Sequence, residues 1–201
     1  TVVYDFRQND LKNGGQGAPL TPVFHQSMKS KIYGANELPI IFINIGGISN
    51  ATGFHGSPKK NPKMFAGDIG PGNCLIDEWI RKSSKYKYDK DGLIARSGKA
   101  NKLILNQALE NFQIPNKKSL DIKDFDISFV RGLSIEDGAA TLTNFTAEII
   151  AQGLINLLEK NKYEYKIGNF PEILVCGGGR NNKYLMELLI KKINFKEFFS
   201  I

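Results

Sequence analysis

The sequence predicts an α/β protein built on a mixed sheet flanked by helices. Three observations lead there. Two β-rich runs, Ile40–Ile45 and residues 48–52, flank Gly46-Gly47, a turn signal that predicts a hairpin. A strand-length run, Glu172–Cys176, meets Gly177-Gly178-Gly179 and then a helical pattern over 184–193, the strand–turn–helix order of an α/β unit. Between them, a long helical periodicity spans Ile135–Lys160.

In chain order, Val2-Val3-Tyr4-Asp5-Phe6-Arg7 reads as a short strand. It is followed by a glycine loop, Gly14-Gly15-Gln16-Gly17-Ala18-Pro19, and the start of a helix. Small residues in such a loop let backbone approach a ligand or another segment closely. After the hairpin, the Lys/Pro/Gly/Asn-rich stretch 53–63 is predicted to be an exposed loop. A strand over 64–69 leads into the turn Gly70-Pro71-Gly72-Asn73. Asn73 stands where it would cap a helix over 74–80, whose early turns carry acidic residues as the macrodipole prefers.

Residues 100–113 predict another helix, with Leu103, Leu105, Ala108, Leu109 and Phe112 as its apolar positions. Asp89-Lys90-Asp91-Gly92 begins like a calcium loop but lacks the later ligands and the terminal Glu, which excludes that reading. Ser134-Ile135-Glu136-Asp137 is a capping-box pattern that opens the long helix. Leu142, Phe145, Ile149, Ala151, Leu154 and Leu158 recur along it at helical spacing. The Glu172–Cys176 strand is predicted to be buried.

The 201 residues suffice for one sizeable core or two modest lobes. With 41% hydrophobic and 23% charged residues, the chain has an ordinary globular balance, which excludes disorder as an account of the whole. No apolar run reaches the roughly 18 residues that cross a bilayer, and no membrane association is expected. The chain begins at Thr1 within an apparent strand, so a truncated product is expected. Cys74 and Cys176 lie too far apart for a disulfide framework or a metal cluster and read as free thiols of a reducing cytoplasm. His25 and His55 lack ligand spacing, and no metal-ligating residue is assigned. The net charge of +7 raises nucleic acid as a partner. The lysines are scattered through a polar loop and helix ends without a recognition motif, so they read as a solvated surface.

Four constellations could carry chemistry. In Gly67-Asp68-Ile69-Gly70-Pro71-Gly72-Asn73, a carboxylate precedes a glycine turn and a helix N-terminus. Backbone N–H groups and the helix dipole there favour an anion such as phosphate, and Asp68 could act as general base. The same Asp could instead merely bond its own turn backbone. Asn44-Ile45-Gly46-Gly47-Ile48-Ser49-Asn50 offers donors to phosphate oxygens, or is a plain hairpin turn. Cys176-Gly177-Gly178-Gly179-Arg180-Asn181-Asn182 suits a base or ribose lying against bare backbone, or a tight turn with close helix packing. It is not the dinucleotide fingerprint, because the glycine spacing differs and no acidic residue follows about 20 positions on. Arg7 could grip a carboxylate through its fork, or pair with Asp5 or Asp10.

Taken together and in order, these motifs resemble the anhydro-N-acetylmuramic acid kinase family. The resemblance rests on Asp5-Phe-Arg7, Gly14-Gly-Gln-Gly-Ala-Pro-Leu20, Asn44-Ile-Gly-Gly-Ile-Ser-Asn50 and Gly67-Asp-Ile-Gly-Pro-Gly-Asn73. Tyr88-Asp-Lys-Asp-Gly92, Lys118-Ser119, Glu136-Asp-Gly-Ala-Ala-Thr-Leu-Thr143 and Val175-Cys-Gly-Gly-Gly179 extend it.

The resemblance implies an actin/hexokinase/Hsp70-like (ribonuclease H-like) kinase fold. Residues 1–37 would be the tail of an N-terminal sugar-side lobe, and 38–201 a C-terminal nucleotide-binding lobe, incomplete at its end. The implied substrates are ATP and 1,6-anhydro-N-acetylmuramic acid, with Mg2+ as cofactor. Water would open the anhydro ring while O6 takes the γ-phosphoryl group, a step of peptidoglycan recycling. Asp68 matches the catalytic aspartate, which deprotonates that water. Asn44, Gly46, Gly47, Gly70 and Gly72 match the phosphate side of the site, and Gly177, Gly178 and Gly179 the adenosine loop. Arg7, Gln16 and Asn73 fall on the substrate side. A homodimer and a cytoplasmic location are expected. Ile69 stands where a Thr is usual, removing a hydroxyl that would bond phosphate or orient Asp68. The family's N-terminal phosphate loop is absent, so a catalytically inactive truncated fragment is the alternative reading.

Overall fold

A computed structural model describes residues 2, 4–15, 17, 20–33, 40–55, 63–113, 119–163 and 171–195. The chain opens with helices α1 (Phe6–Lys12) and α2 (Pro22–Tyr33), then strands β1 (Ile40–Ile45), β2 (Ile48–His55) and β3 (Lys63–Pro71). Helices α3 (Cys74–Ser83), α4 (Leu93–Ser97), α5 (Lys102–Asn111) and the long α6 (Ile135–Lys160) follow. Strand β4 (Glu172–Cys176) and helix α7 (Lys183–Phe195) end the described chain.

The sheet order is β3-β2-β1-β4, with the first three strands antiparallel and β4 parallel to β1, which makes the sheet mixed. Side-chain alternation gives each face its own cover. Ile41, Ile43, Ile45, Ala51, Phe65 and Ile69 bury against Ala147, Ile150, Ala151, Leu154 and Leu158 of α6 and Leu185 and Leu189 of α7. On the opposite face, Ile40, Phe42 and Phe54 form a smaller cluster under Met28 of α2. His25 of α2 stacks on Phe42 at 4.6 Å between ring centroids, with its Nδ1 3.0 Å from Thr52 Oγ1.

Helix α6 is apolar almost all round because it is buried on two sides. The predicted series divides between them. Ala151, Leu154 and Leu158 meet the sheet, whereas Leu142, Phe145 and Ile149 meet α3, α4, α5 and the segment around Phe125 and Val130. Trp79 of α3 donates its indole N–H to Ile135 O at 2.9 Å and fixes that second layer. Ser134 caps α6, its hydroxyl accepting the Asp137 N–H at 3.1 Å.

Several expectations are corrected. The strand expected over 2–7 is absent among the described residues, and Phe6–Lys12 is helical. Val2, Tyr4 and Phe6 are all well exposed. A short apolar run with neither a partner strand nor a buried face has nothing to hold it extended, and local helix hydrogen bonds prevail. Strand β2 continues through Gly53–His55 and β3 starts at Lys63, so the expected 53–63 loop is shorter; residues 56–62 lie outside the described set. Strand β4 is half-buried, because as an edge strand it is covered less completely than β1. Leu103 of α5 is 78% exposed and takes no part in the core.

Candidate active site

The β1–β2 hairpin and the end of β3 lock together through backbone. Gly72 N–H and Asn73 N–H donate to Gly47 O and Gly46 O, both at 2.8 Å, and Cys74 N–H reaches Gly47 O at 3.3 Å. The buried Ser49 hydroxyl donates to Pro71 O at 3.0 Å. A Cβ on Gly72 would fall 2.1 Å from Gly46 O, so the glycine there serves close backbone packing. Asn73 stands at the N-cap position of α3 but makes no side-chain cap bond; its Nδ2 donates to Gly46 O at 3.3 Å instead. The first N–H groups at this helix start are therefore given to the hairpin carbonyls.

Register then assembles a polar row. A two-residue Gly-Gly turn would pair Ile45 with Ile48; instead Ile45 pairs with Ser49, and Asn44 with Asn50. A bulge between Ser49 and Asn50 brings Asn50 opposite Asp68 and leaves Ile69 as the extra residue of β3. Bulges re-aim side chains in this way. On the other side Asn44 pairs with Cys176. Asp68, Asn50, Asn44 and Cys176 thus run across all four strands in one row, each half-buried, on the face away from α6. Cys176 Sγ lies 3.8 Å from Asn44 Oδ1.

Asp68 is anchored from outside the sheet. Its Oδ2 accepts from Ser119 Oγ at 3.0 Å and from Leu120 N–H at 2.7 Å. The alternative of an Asp bonded to its own turn is thereby replaced by a long-range brace. Ile69, where a hydroxyl was expected to orient Asp68, is 0% exposed and packs into the α6 face. A side chain at position 69 points away from the row, so its apolar character takes nothing from Asp68.

At the β4 end, Gly177 has φ +83°, and a Cβ there would lie 2.5 Å from Ile45 O. Both the backbone conformation and the space demand glycine. Gly70 and Gly179 are buried, whereas Gly46, Gly47 and Gly178 keep open sides, with no atom nearer than 3.4 Å to a Cβ placed on them. Next to Gly178 lies a cavity of about 380 Å3 lined by Asn73, Asp77, Tyr88, Asp89, Lys90, Asp91, Asn181 and Asn182. Asp89 spends both carboxylate oxygens on the N–H groups of Ile94 and Ala95 at the start of α4. Burial, with the Asp89 charge adding to it against Arg81, pushes the Asp77 carboxyl above its ordinary range. A larger cavity of about 510 Å3, between α5 and α6 and walled by Phe112, Phe125, Phe129 and Phe145, contains none of the row's residues.

The structure thus brings Asn44, Gly46, Gly47, Gly70, Gly72, Asn73, Asp68 and the 177–179 loop to one end of the sheet. Arg7 is tied locally: its Nε donates to Gly17 O at 2.9 Å, while Asp10 accepts from Gly17 N–H at 2.7 Å. Gln16 and Lys118 lie outside the described residues. Sequence reasoning assigned no role to Asn50, Cys176, Ser119 or Asp77. The first two become visible once strand alternation is read with the correct register. Among the described residues, no group of three or more His, Cys, Asp or Glu side chains could hold a metal ion.

A mixed sheet covered by helices on both faces, with glycine turns at one end beside a braced carboxylate, is the architecture of an actin/hexokinase-like kinase lobe. The chain belongs to the anhydro-N-acetylmuramic acid kinase family, whose model matches residues 1–199. The anhydro-N-acetylmuramic acid kinase of Pelagibacter ubique (strain HTCC1062) is 47% identical over 197 residues, covering 96% of this chain and 50% of its own length. Those of Rhizorhabdus wittichii and Zymomonas mobilis are each 39% identical, covering 94% of this chain and 48% of their own lengths. The chain spans about half the length of the curated relatives it matches.

Proposed function

We propose that the protein carrying this chain uses ATP to open 1,6-anhydro-N-acetylmuramic acid and phosphorylate it, giving N-acetylmuramic acid 6-phosphate in peptidoglycan recycling. The observation that carries this reading is the half-buried Asp68, held by Ser119 and Leu120 in a polar row beside two glycine turns. Asp68 accepts a proton from water as the water oxygen bonds to C1 of the sugar. The C1–O6 bond breaks, O6 bonds to the γ-phosphorus, and ADP leaves. The net reaction consumes one sugar, one ATP and one water and releases ADP and a proton. Fixing the base in one position removes orientational freedom that the transition state would otherwise have to lose.

The open backbone at Gly46 and Gly47 faces the phosphates, with Asn44 beside them and the buried Gly70 and Gly72 shaping the turn. Gly177, Gly178 and Gly179 form the wall against adenosine, and the cavity with Tyr88 and Asp77 gives the nucleoside room. Asn73, its Nδ2 engaged by the hairpin, presents Oδ1 to a sugar hydroxyl. Arg7 and Gln16 belong to the substrate side, within a 1–37 segment that continues a sugar-side lobe and reaches over the sheet of the 38–201 nucleotide lobe through α2.

Mg2+ fits a site of this kind, because it keeps several waters and takes one or two carboxylates plus phosphates rather than a protein cage. Asn44, Asn50 and Asp68 are the oxygen-bearing groups that would face it. When bound, the ion neutralises charge on the phosphates. Among the described residues no helix is long and apolar enough to cross a membrane.

Asp68→Asn in the complete gene product tests the reading, with ATP and the anhydro-sugar supplied. Turnover should vanish while nucleotide still binds; an unchanged rate would refute it. Turnover by residues 1–201 alone, assayed alongside, decides against the inactive-fragment alternative.

A further inference from the structure

The geometry points to Ser119 as a positioning residue for the reaction: its hydroxyl sets the direction in which the Asp68 carboxylate faces. This rests on Asp68 being the base. Ser119 Oγ and Leu120 N–H both donate to the same oxygen, Asp68 Oδ2, at 3.0 and 2.7 Å. A carboxylate pinned through one oxygen by two donors cannot turn freely about its Cβ–Cγ bond. Oδ2 is thereby engaged, and Oδ1 is the oxygen left to take a proton.

The donors come from a chain segment more than 50 residues away, so their placement is a product of tertiary structure. That segment is itself anchored. Residues Ile122–Asp124 form a 3-10 turn closed by a reciprocal capping box between Asp121 and Asp124. Phe125 is buried, stacked on Phe112 at 5.9 Å between centroids, within the cluster that packs on α6. Ile122 Cδ1 sits 3.6 Å from the Cβ position of Gly47, so the same segment braces the hairpin. Ser119 is thus the polar end of a segment that Phe125 anchors in the α5–α6 layer. Position 69, next to Asp68, holds an isoleucine and has no hydroxyl to offer. Here that position faces the core, and Ser119 supplies the hydroxyl from the other side of Asp68.

The test is steady-state kinetics of the complete gene product carrying Ser119→Ala, Ser119→Thr or Asp68→Asn, each with a thermal melt. Ser119→Ala should lower kcat by roughly tenfold or more, the size expected for losing a hydrogen bond to a charged group. The KM for ATP should stay within about twofold, and the melting temperature should fall by no more than a few degrees, leaving the variant folded at the assay temperature. Ser119→Thr, which keeps the hydroxyl, should recover most of the rate. If Asp68→Asn is inactive but Ser119→Ala turns over normally, the positioning role is wrong while Asp68 remains the base. If Asp68→Asn is active, the reading of Asp68 itself fails. A Ser119→Ala defect confined to the KM for ATP, or one that tracks a lowered melting temperature and is not recovered by Thr, would also overturn the inference.

Discussion

Replacing Gly72 by Ala should loosen the junction between the hairpin and α3. The added methyl would sit 2.1 Å from Gly46 O, 2.9 Å from Gly46 C and 3.1 Å from Gly47 O. All are backbone atoms, so no side-chain rotation relieves the contact. Restoring ordinary van der Waals separation moves the segment by on the order of 1 Å. That shift breaks the two 2.8 Å bonds from Gly72 N–H and Asn73 N–H and weakens the one from Cys74 N–H. At about 1 kcal/mol net per buried backbone bond, the loss is about 2–3 kcal/mol. For a chain of this length each kcal/mol moves Tm by about 2–4 °C, so a drop of about 5–10 °C is expected.

The sequence contains one tryptophan, Trp79 on α3, only 8% exposed, so its fluorescence reports on this packing directly. Thermal melts followed by Trp79 emission and by circular dichroism are the assay. Gly47→Ala is the internal control. Its methyl would meet only Ile122 Cδ1 at 3.6 Å, so it should melt within about 1 °C of wild type. Should Gly72→Ala melt together with that control, the claim that Gly72 is required by backbone approach is refuted.

Two further outcomes follow from titratable groups. Burial of His25 between α2 and the sheet lowers its pKa, so the folded state holds fewer protons than the unfolded chain. Stability should be level above the unfolded pKa of about 6.5 and fall as pH drops below it; urea midpoints at pH 8, 7, 6 and 5 should show this loss in wild type and less of it in His25→Gln, and identical profiles would contradict it. Burial also raises both thiols, with Cys74 pushed up to about 11, so at pH 8 roughly one Cys74 in a thousand is thiolate. Half-buried Cys176 should react first with a disulfide reagent, and ATP should slow it; equal labelling of Cys74, or no effect of ATP, would count against the row facing the nucleotide.

The chain's periodicities announce most of its elements, because each of those elements buries a face of matching period. Helix α6 is the clearest case: its apolar positions recur for its whole length, although nothing local says that they serve two different layers. The Val2–Arg7 run misleads for the converse reason. An apolar pattern becomes a strand only when a neighbour offers backbone partners, and that information lies elsewhere in the chain.

The site shows the same division. Local motifs identify the residues, and long-range register decides what they meet. Read as a two-residue turn, Gly46-Gly47 places Ile48 opposite Ile45; with Ile45 opposite Ser49 instead, every β2 side chain changes its cross-strand partner. Asn50 reaches Asp68 only because the bulge at Ile69 takes up one residue of β3. Strand alternation turns Ile69, like Phe65, into the core, where an isoleucine costs nothing, and the work of orienting Asp68 falls to a hydroxyl from outside the strand. Ser119 sits 51 residues from Asp68, and only the packing of Phe125 and the 3-10 turn before it brings the two together. A single-residue shift in one hairpin would therefore disperse the polar row while leaving every motif in the sequence intact.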